Sequence, residues 1–249
     1  MSFNYGWRGP NIVKEGLILY LDPGSPNSYY DKTSTTIKDI SGNGNNGTLT
    51  NFGSQTIYNS GSGGNIVFDG SDDYINMGDR DAFTQASGFT FEVYFNPTTL
   101  NSNTIIQKYQ ATGNEYIFGF AGNRLYGWVS DEATGRGYRG RFVQAVSSYV
   151  TTNQWYQFVF TYDGGNTSSS CKLYINTIQR DDNDFQGGTF NSIKNTTVPL
   201  TIALTNFGLY GPIKGSLGTL KMYNRPLTQS EIQQNFNATK ARFGLWVVE

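Results

Sequence analysis

The chain has 249 residues; 15% are charged and 15% aromatic, and 18 Lys plus Arg stand against 19 Asp plus Glu, a net charge of -1. So neutral a chain has no general electrostatic pull toward nucleic acid or an anionic membrane, and neither is expected as a partner. It holds no histidine and one cysteine, Cys171. That excludes a Ser-His-Asp triad, an imidazole base, a His-ligated zinc and an internal disulfide, and Cys171 reads as a small buried residue.

Residues 1–11 form a mostly polar arm that carries Trp7 and lacks an apolar run, so no signal peptide is expected. No window approaches the roughly 18 apolar residues of a membrane span. Thirty glycines against seven prolines suit short strands joined by tight turns. The first strand signal is Leu17-Ile18-Leu19-Tyr20-Leu21, closed by Asp22-Pro23-Gly24. Residues 65–68 and 74–77 alternate on either side of the polar turn 69–73. Residues 89–95 form a long strand ended by Asn96-Pro97, and residues 104–109, 115–120 and 125–129 follow. The last two of these are joined by a short link holding Asn123 and Arg124, which predicts a hairpin.

Further strands are predicted at residues 155–162, 171–178, 200–204 and 216–223. Turn signals recur about every 8–12 residues, the spacing of a sandwich or barrel. One helix is predicted near the C-terminus. Thr228 and Glu231 form a capping box, Leu227 and Ile232 a hydrophobic staple, and Gly244 a stop. No linker divides the chain, so 1–249 is read as one domain with an arm at 1–11 and a tail at 244–249. The fold class expected is all-β: a two-sheet antiparallel jelly-roll sandwich of roughly six or seven strands per sheet, with one short C-terminal helix.

Several blocks carry a resemblance. They are Gly16-Leu17-Ile18-Leu19-Tyr20-Leu21-Asp22, then residues 39–49 around Ser41-Gly42-Asn43-Gly44, then Phe68-Asp69-Gly70-Ser71-Asp72-Asp73-Tyr74-Ile75. Residues 88–97, Trp155, Tyr162-Asp163-Gly164, Leu173-Tyr174-Ile175-Asn176 and residues 222–232 complete the series. In this order they resemble the laminin-G-like jelly-roll branch of the concanavalin A-like lectin/glucanase superfamily, over about residues 12–243. The ending Arg242-Phe243-Gly244 is similar to virion proteins of tailed bacteriophages. The resemblance implies a capsid decoration, tail or fibre protein, made in the host cytoplasm, with other virion proteins, further copies of itself and a host-surface glycan as partners. Two positions depart from the family pattern. Thr177 stands where a glycine is frequent, and Gly218 and Thr219 stand where acids are frequent, which puts any metal ligand from that strand in doubt.

No catalytic residue is assigned. The Glu-x-Asp-x-Glu strand of glucanases is absent and the six glutamates are scattered, so the chain is read as non-enzymatic. A free lectin-like module is the first alternative, and a polysaccharide-cleaving enzyme the second. Asp69, Asp72 and Asp73 are candidate calcium ligands, against a reading in which they cap their own turn. Asp39 and Asn43 are read first as turn caps. Tyr126, Trp128 and Tyr138 are a candidate sugar platform, with Arg136 and Arg139 beside it, against a reading of core rings and a solvated basic loop. Trp7, Leu245, Trp246 and Val247 are candidate assembly contacts, against a reading in which the tail covers its own sheet.

Overall fold

The computed structural model describes residues 11–53, 57–110, 113–131, 137–204 and 213–245. In chain order the strands are β1 (Leu17–Leu21), β2 (Thr36–Ile37), β3 (Gly47–Thr50), β4 (Tyr58–Asn59), β5 (Asn65–Asp69) and β6 (Tyr74–Gly78). There follow β7 (Phe89–Pro97), β8 (Ser102–Gln110), β9 (Gly113–Ala121), β10 (Leu125–Asp131), β11 (Gly137–Val143) and β12 (Tyr156–Tyr162). The last are β13 (Cys171–Ile175), β14 (Ile178–Gln179), β15 (Asn183–Gly187), β16 (Leu200–Ile202) and β17 (Lys214–Tyr223), and then helix α1 (Gln229–Thr239). No helix among the described residues is long and apolar enough to cross a membrane.

The strands form two antiparallel sheets. The eight-stranded sheet runs β14-β13-β12-β7-β17-β5-β4, with β1 also paired to β17, and the nine-stranded sheet runs β15-β11-β10-β9-β8-β16-β6-β3-β2. The sheets are larger than expected because β2, β3, β4, β11 and β15 are too short or too polar to announce themselves. Residues 171–178 are two strands, not one: Asn176 (φ 47°) and Thr177 (φ 72°) turn the chain between β13 and β14.

Alternation fixes what faces inward. Phe89, Phe91, Val93 and Phe95 of β7 and Phe158, Phe160 and Tyr162 of β12 meet Tyr116, Phe118 and Phe120 of β9 in one continuous core. The rings interlock at 5.2 Å for Phe89 and Tyr116 and at 5.2 Å for Phe120 and Phe158. Cys171 is fully buried there, and burial pushes its thiol well above the usual range, as expected of an inert structural cysteine. The opposite face of the eight-stranded sheet is covered by α1, whose Ile232 packs with Val159 and Tyr223 and whose Phe236 packs with Tyr94. The predicted capping box is present: Glu231 N donates to Thr228 Oγ1 and Thr228 N to Glu231 Oε2. A short 3-10 segment, Lys240–Phe243, follows, and Gly244 ends it at φ 67°.

Candidate functional site

The opposite face of the nine-stranded sheet carries a second, separate cluster. Leu125, Gly127 and Val129 of β10 point to the core, so Tyr126 and Trp128 point away from it. Register then places Ile117 beside Trp128 on β9, and Gly140 beside Trp128 and Phe142 beside Tyr126 on β11. Phe185 of β15 stands opposite Gly140. A Cβ at Gly140 would lie 2.4 Å from Trp128 Cβ, so only glycine leaves the indole its place. The rings converge: Tyr109 to Trp128 5.5 Å, Trp128 to Tyr138 6.1 Å, Trp128 to Phe185 6.3 Å and Tyr138 to Phe185 4.7 Å between centroids. Ala121, Arg124, Tyr126, Trp128, Phe142 and Phe185 line a small, half-open depression there. The structure therefore brings the expected Tyr126, Trp128 and Tyr138 onto one face.

Trp128 Nε1 is buried and has no hydrogen-bond partner among the described residues. The register row continues from Ile117 to Gln107 of β8 and Thr201 of β16. Gln107 Nε2 and Thr201 Oγ1 on that row are likewise buried without a partner among the described residues.

The basic cluster is not a solvated loop, and this corrects the expectation. Residues 137–143 are β11, and Arg139 and Arg141 alternate to the side opposite the rings. Arg139 Nε donates to Asn166 O (2.7 Å) and its Nη1 to Gly187 O (3.1 Å) and Tyr138 O (2.8 Å). Arg141 is held by Asp184, Asp181 O and the Asp181 carboxylate. Burial pushes the Asp181 carboxyl up, and the neighbouring Arg141 works against that shift. Arg139 thus braces the sandwich rim and does not join the platform. Arg136 lies outside the described residues.

The cation that does reach the depression is Arg124, which sequence reasoning placed only in a turn. Ala121 and Arg124 exchange backbone hydrogen bonds of 2.9 and 3.0 Å around Gly122 (φ 54°) and Asn123 (φ 61°), a two-residue hairpin. Asn123 O accepts from Val146 N and Asn123 Oδ1 from Ser147 N, which pins the hairpin tip. Arg124 lies over the Phe142 ring, 4.8 Å from its centroid, and its Nε donates to Gln144 Oε1 (3.0 Å).

The turn between β5 and β6 gathers Asp69, Asp72 and Asp73, with carboxylate oxygens within 4.8 Å of one another. Asp73 is buried and accepts from Asp69 N (2.9 Å), while Asp69 Oδ1 accepts from Ser71 N (2.7 Å). Hard oxygen donors at this spacing fit calcium, whose ligands stand about 2.3–2.6 Å from the ion. Lys214 stands opposite Asp69 in the register of β5 and β17. Asp39 differs. Its carboxylate accepts from Tyr20 N, Ser41 N, Ser41 Oγ and Asn45 N, and Asn43 Nδ2 donates to Leu17 O, so this loop clamps β1 with its own side chains.

Of the expected assembly contacts, Trp7, Trp246 and Val247 lie outside the described residues. Leu245 is partly buried against Tyr94, Phe236 and Phe243, and its N donates to Lys240 O (3.0 Å), so part of it packs on its own chain.

No curated protein matches the chain by sequence. Among solved structures it is similar to domain 4 of an extracellular GH43 arabinanase from Geobacillus stearothermophilus, in complex with arabinotriose. The TM-score is 0.61 at 19% identity, over 88% of this chain and 97% of that one. It is also similar to the binding domain of Paraclostridial Mosquitocidal Protein 1 (TM-score 0.62, 18% identity, 90% and 52% covered). The ligand binding domain of Botulinum neurotoxin serotype D, in complex with N-acetylneuraminic acid, matches at TM-score 0.63 and 14% identity (91% and 51% covered). The chain spans about half the length of these two toxin domains, and identities this low show a shared fold alone. The family described as concanavalin A-like lectin/glucanases superfamily matches residues 69–233, more than half of the sequence. The two-sheet sandwich and that match together place this chain in the concanavalin A-like lectin/glucanase superfamily.

Proposed function

We propose that the chain is a non-catalytic carbohydrate-binding module, with the depression at Trp128 as its sugar site. The observation that carries this reading is the ring cluster of Tyr126, Trp128, Tyr138 and Phe142 on the outer face of the nine-stranded sheet. A sugar offers an apolar ring face to stack on such rings and hydroxyls for the polar groups at their edge. Two of the similar structures are described in complex with a saccharide, arabinotriose or N-acetylneuraminic acid, which supports the ligand class.

Catalysis finds no support in the acids. Glycoside cleavage needs two carboxyls flanking the bond. Among the described residues no carboxylate lines the depression. Glu92 and Glu115 are spent on buried lysines, and Glu231 caps the helix.

The test is a glycan array followed by titration of any hit. Trp128→Ala weakens the hit by roughly tenfold or more, about 1.4 kcal/mol, titrated well below the variant's own melting midpoint, which falls because a packed ring is lost. An array with no saccharide bound removes the reading.

The reading includes calcium at the Asp69, Asp72 and Asp73 turn, and a place on a phage particle among other virion proteins and copies of itself. The ending Arg242-Phe243-Gly244 supports the latter. Immunogold electron microscopy of purified virions, with antibody against this chain, tests it; unlabelled particles remove it.

A further inference from the structure

Resting on that reading, we infer that the sugar taken by the depression is an acidic one, its carboxylate held by the guanidinium of Arg124. The argument starts from what this arginine lacks. Arg139 and Arg141 spend their donors on carbonyls and aspartates of their own chain. Arg124 is exposed, forms no ion pair among the described residues, and has only its Nε engaged, with Gln144. Its two terminal nitrogens are left to face a ligand, and guanidinium forks match carboxylates bidentately.

The side chain is also pre-positioned. Gln144 holds Nε at 3.0 Å from below and the Phe142 ring supports the guanidinium plane at 4.8 Å, so little rotamer freedom remains to be lost on binding. The backbone beneath it is pinned through Asn123 to residues 146 and 147. The acids nearby in the structure have other partners. Asp182 Oδ1 accepts from Gln144 N (3.2 Å) and Asn183 Nδ2 (2.9 Å), and Asp184 is taken by Arg141.

Arg124 lines the same depression as Tyr126, Trp128 and Phe185. The depression is small and half open, so it suits one face of a single sugar ring laid on the aromatic side chains more than an enclosed chain. A hexose carboxylate stacked on the rings places its charge at the rim, where the one unpaired cation of the lining stands. Oriented stacking and a fork-shaped cation together select a uronic or sialic acid over the neutral sugar of the same shape.

The experiment titrates the whole chain, by calorimetry, with paired saccharides of matched length: sialyllactose and the neutral trisaccharide galactosyl-lactose, and oligomers of galacturonate and of galactose. The acidic member binds at least roughly tenfold more tightly. Arg124→Gln removes that preference, read as the ratio of acidic to neutral affinity, and Arg124→Lys restores only part of it, because a point charge cannot replace the fork. Added salt weakens the acidic ligand alone. Equal affinity within the pairs, or a preference that survives Arg124→Gln, overturns the inference. If neutral sugars still bind and Trp128→Ala abolishes them, the module reading stands without it. If no saccharide of either class binds, the module reading fails and the inference goes with it.

Discussion

Lys221 Nζ lies 3.0 Å from Glu92 Oε1, and neither side chain is exposed. The other Glu92 oxygen accepts from Asn235 Nδ2 (2.5 Å), which also donates to Tyr223 OH, while Asn235 Oδ1 accepts from Val13 N (2.8 Å). One buried ion pair thus ties β7, β17, α1 and the segment before β1 together under the helix. The rings of Tyr20 and Tyr94 flank the ammonium at 5.2 and 5.6 Å. Both charges have left water, so each depends on the other. Glu92→Ala leaves Lys221 buried and unpaired, and we expect it to cost about 3–5 kcal/mol in urea unfolding. The double change Glu92→Leu with Lys221→Met recovers most of that loss, because neither charge then needs desolvation. A single-variant cost below about 1 kcal/mol would show a pair that water reaches in solution.

Thr177 sits at φ 72°, a conformation that β-branched residues rarely adopt, in the two-residue turn between β13 and β14. The strain persists because the surroundings hold it: Thr177 is buried, and its carbonyl accepts from Gln229 Nε2 (2.6 Å) at the start of α1. Glycine keeps that carbonyl and relieves the strain, at the cost of a more mobile unfolded chain. We expect Thr177→Gly to stabilise by about 1 kcal/mol, read as a higher urea midpoint at unchanged slope. A lower midpoint would mean that the packing of the threonine methyl outweighs the strain.

The sandwich was legible wherever one face of a strand is apolar. Phe89, Phe91, Val93 and Phe95 mark β7 outright, and Thr228 with Glu231 marks the helix start. β11 was not legible, although its period of two is intact. Its inward phase carries Arg139 and Arg141, because at the sandwich rim those side chains meet carbonyls and aspartates instead of core. Its outward phase carries Tyr138, Gly140 and Phe142, so the pattern reads inside out.

The platform rings were legible as a cluster, since Tyr126 and Trp128 alternate within one strand. Arg124 was not. A lone arginine in a turn has no signature, and its place depends on Gln144 and Phe142, which only the hairpin register brings beneath it. Arg139 failed for the opposite reason: its nearness in sequence to Tyr138 put it on the other face.

Arg225 grips Glu231 with both terminal nitrogens, at 3.0 and 2.5 Å, and the two backbone and side-chain bonds from Thr228 add to it. The guanidinium beside it, with the cap bonds, holds the Glu231 carboxyl down at about 2 against an ordinary value of 4.5. The folded state therefore favours the ionised form. Its contribution to stability is complete above pH 4.5 and disappears as the pH falls from 4.5 toward 2. The start of α1 should loosen across that window. Glu231→Gln is less stable than the parent at pH 7, and the gap between them closes by pH 2, read by urea unfolding at each pH. A gap that stays constant with pH would assign the lost stability to packing and not to charge.

Asp69, Asp72 and Asp73 crowd three carboxylates into one turn that joins the two sheets. Without a cation these groups repel, so Asp72→Asn, which keeps the shape and drops a charge, raises the melting temperature slightly in chelator. With calcium the sign reverses. An ion bound only by the folded chain stabilises by about 2.7 kcal/mol at a concentration 100 times its dissociation constant. For a chain of this size that raises the melting temperature by roughly 5–10 °C, and Asp72→Asn removes most of the rise. The crossing of the two variants between chelator and calcium is the diagnostic. Coincident melts of the parent chain in the two conditions would leave these aspartates as turn caps, with Asp73 holding Asp69 N and Asp69 holding Ser71 N.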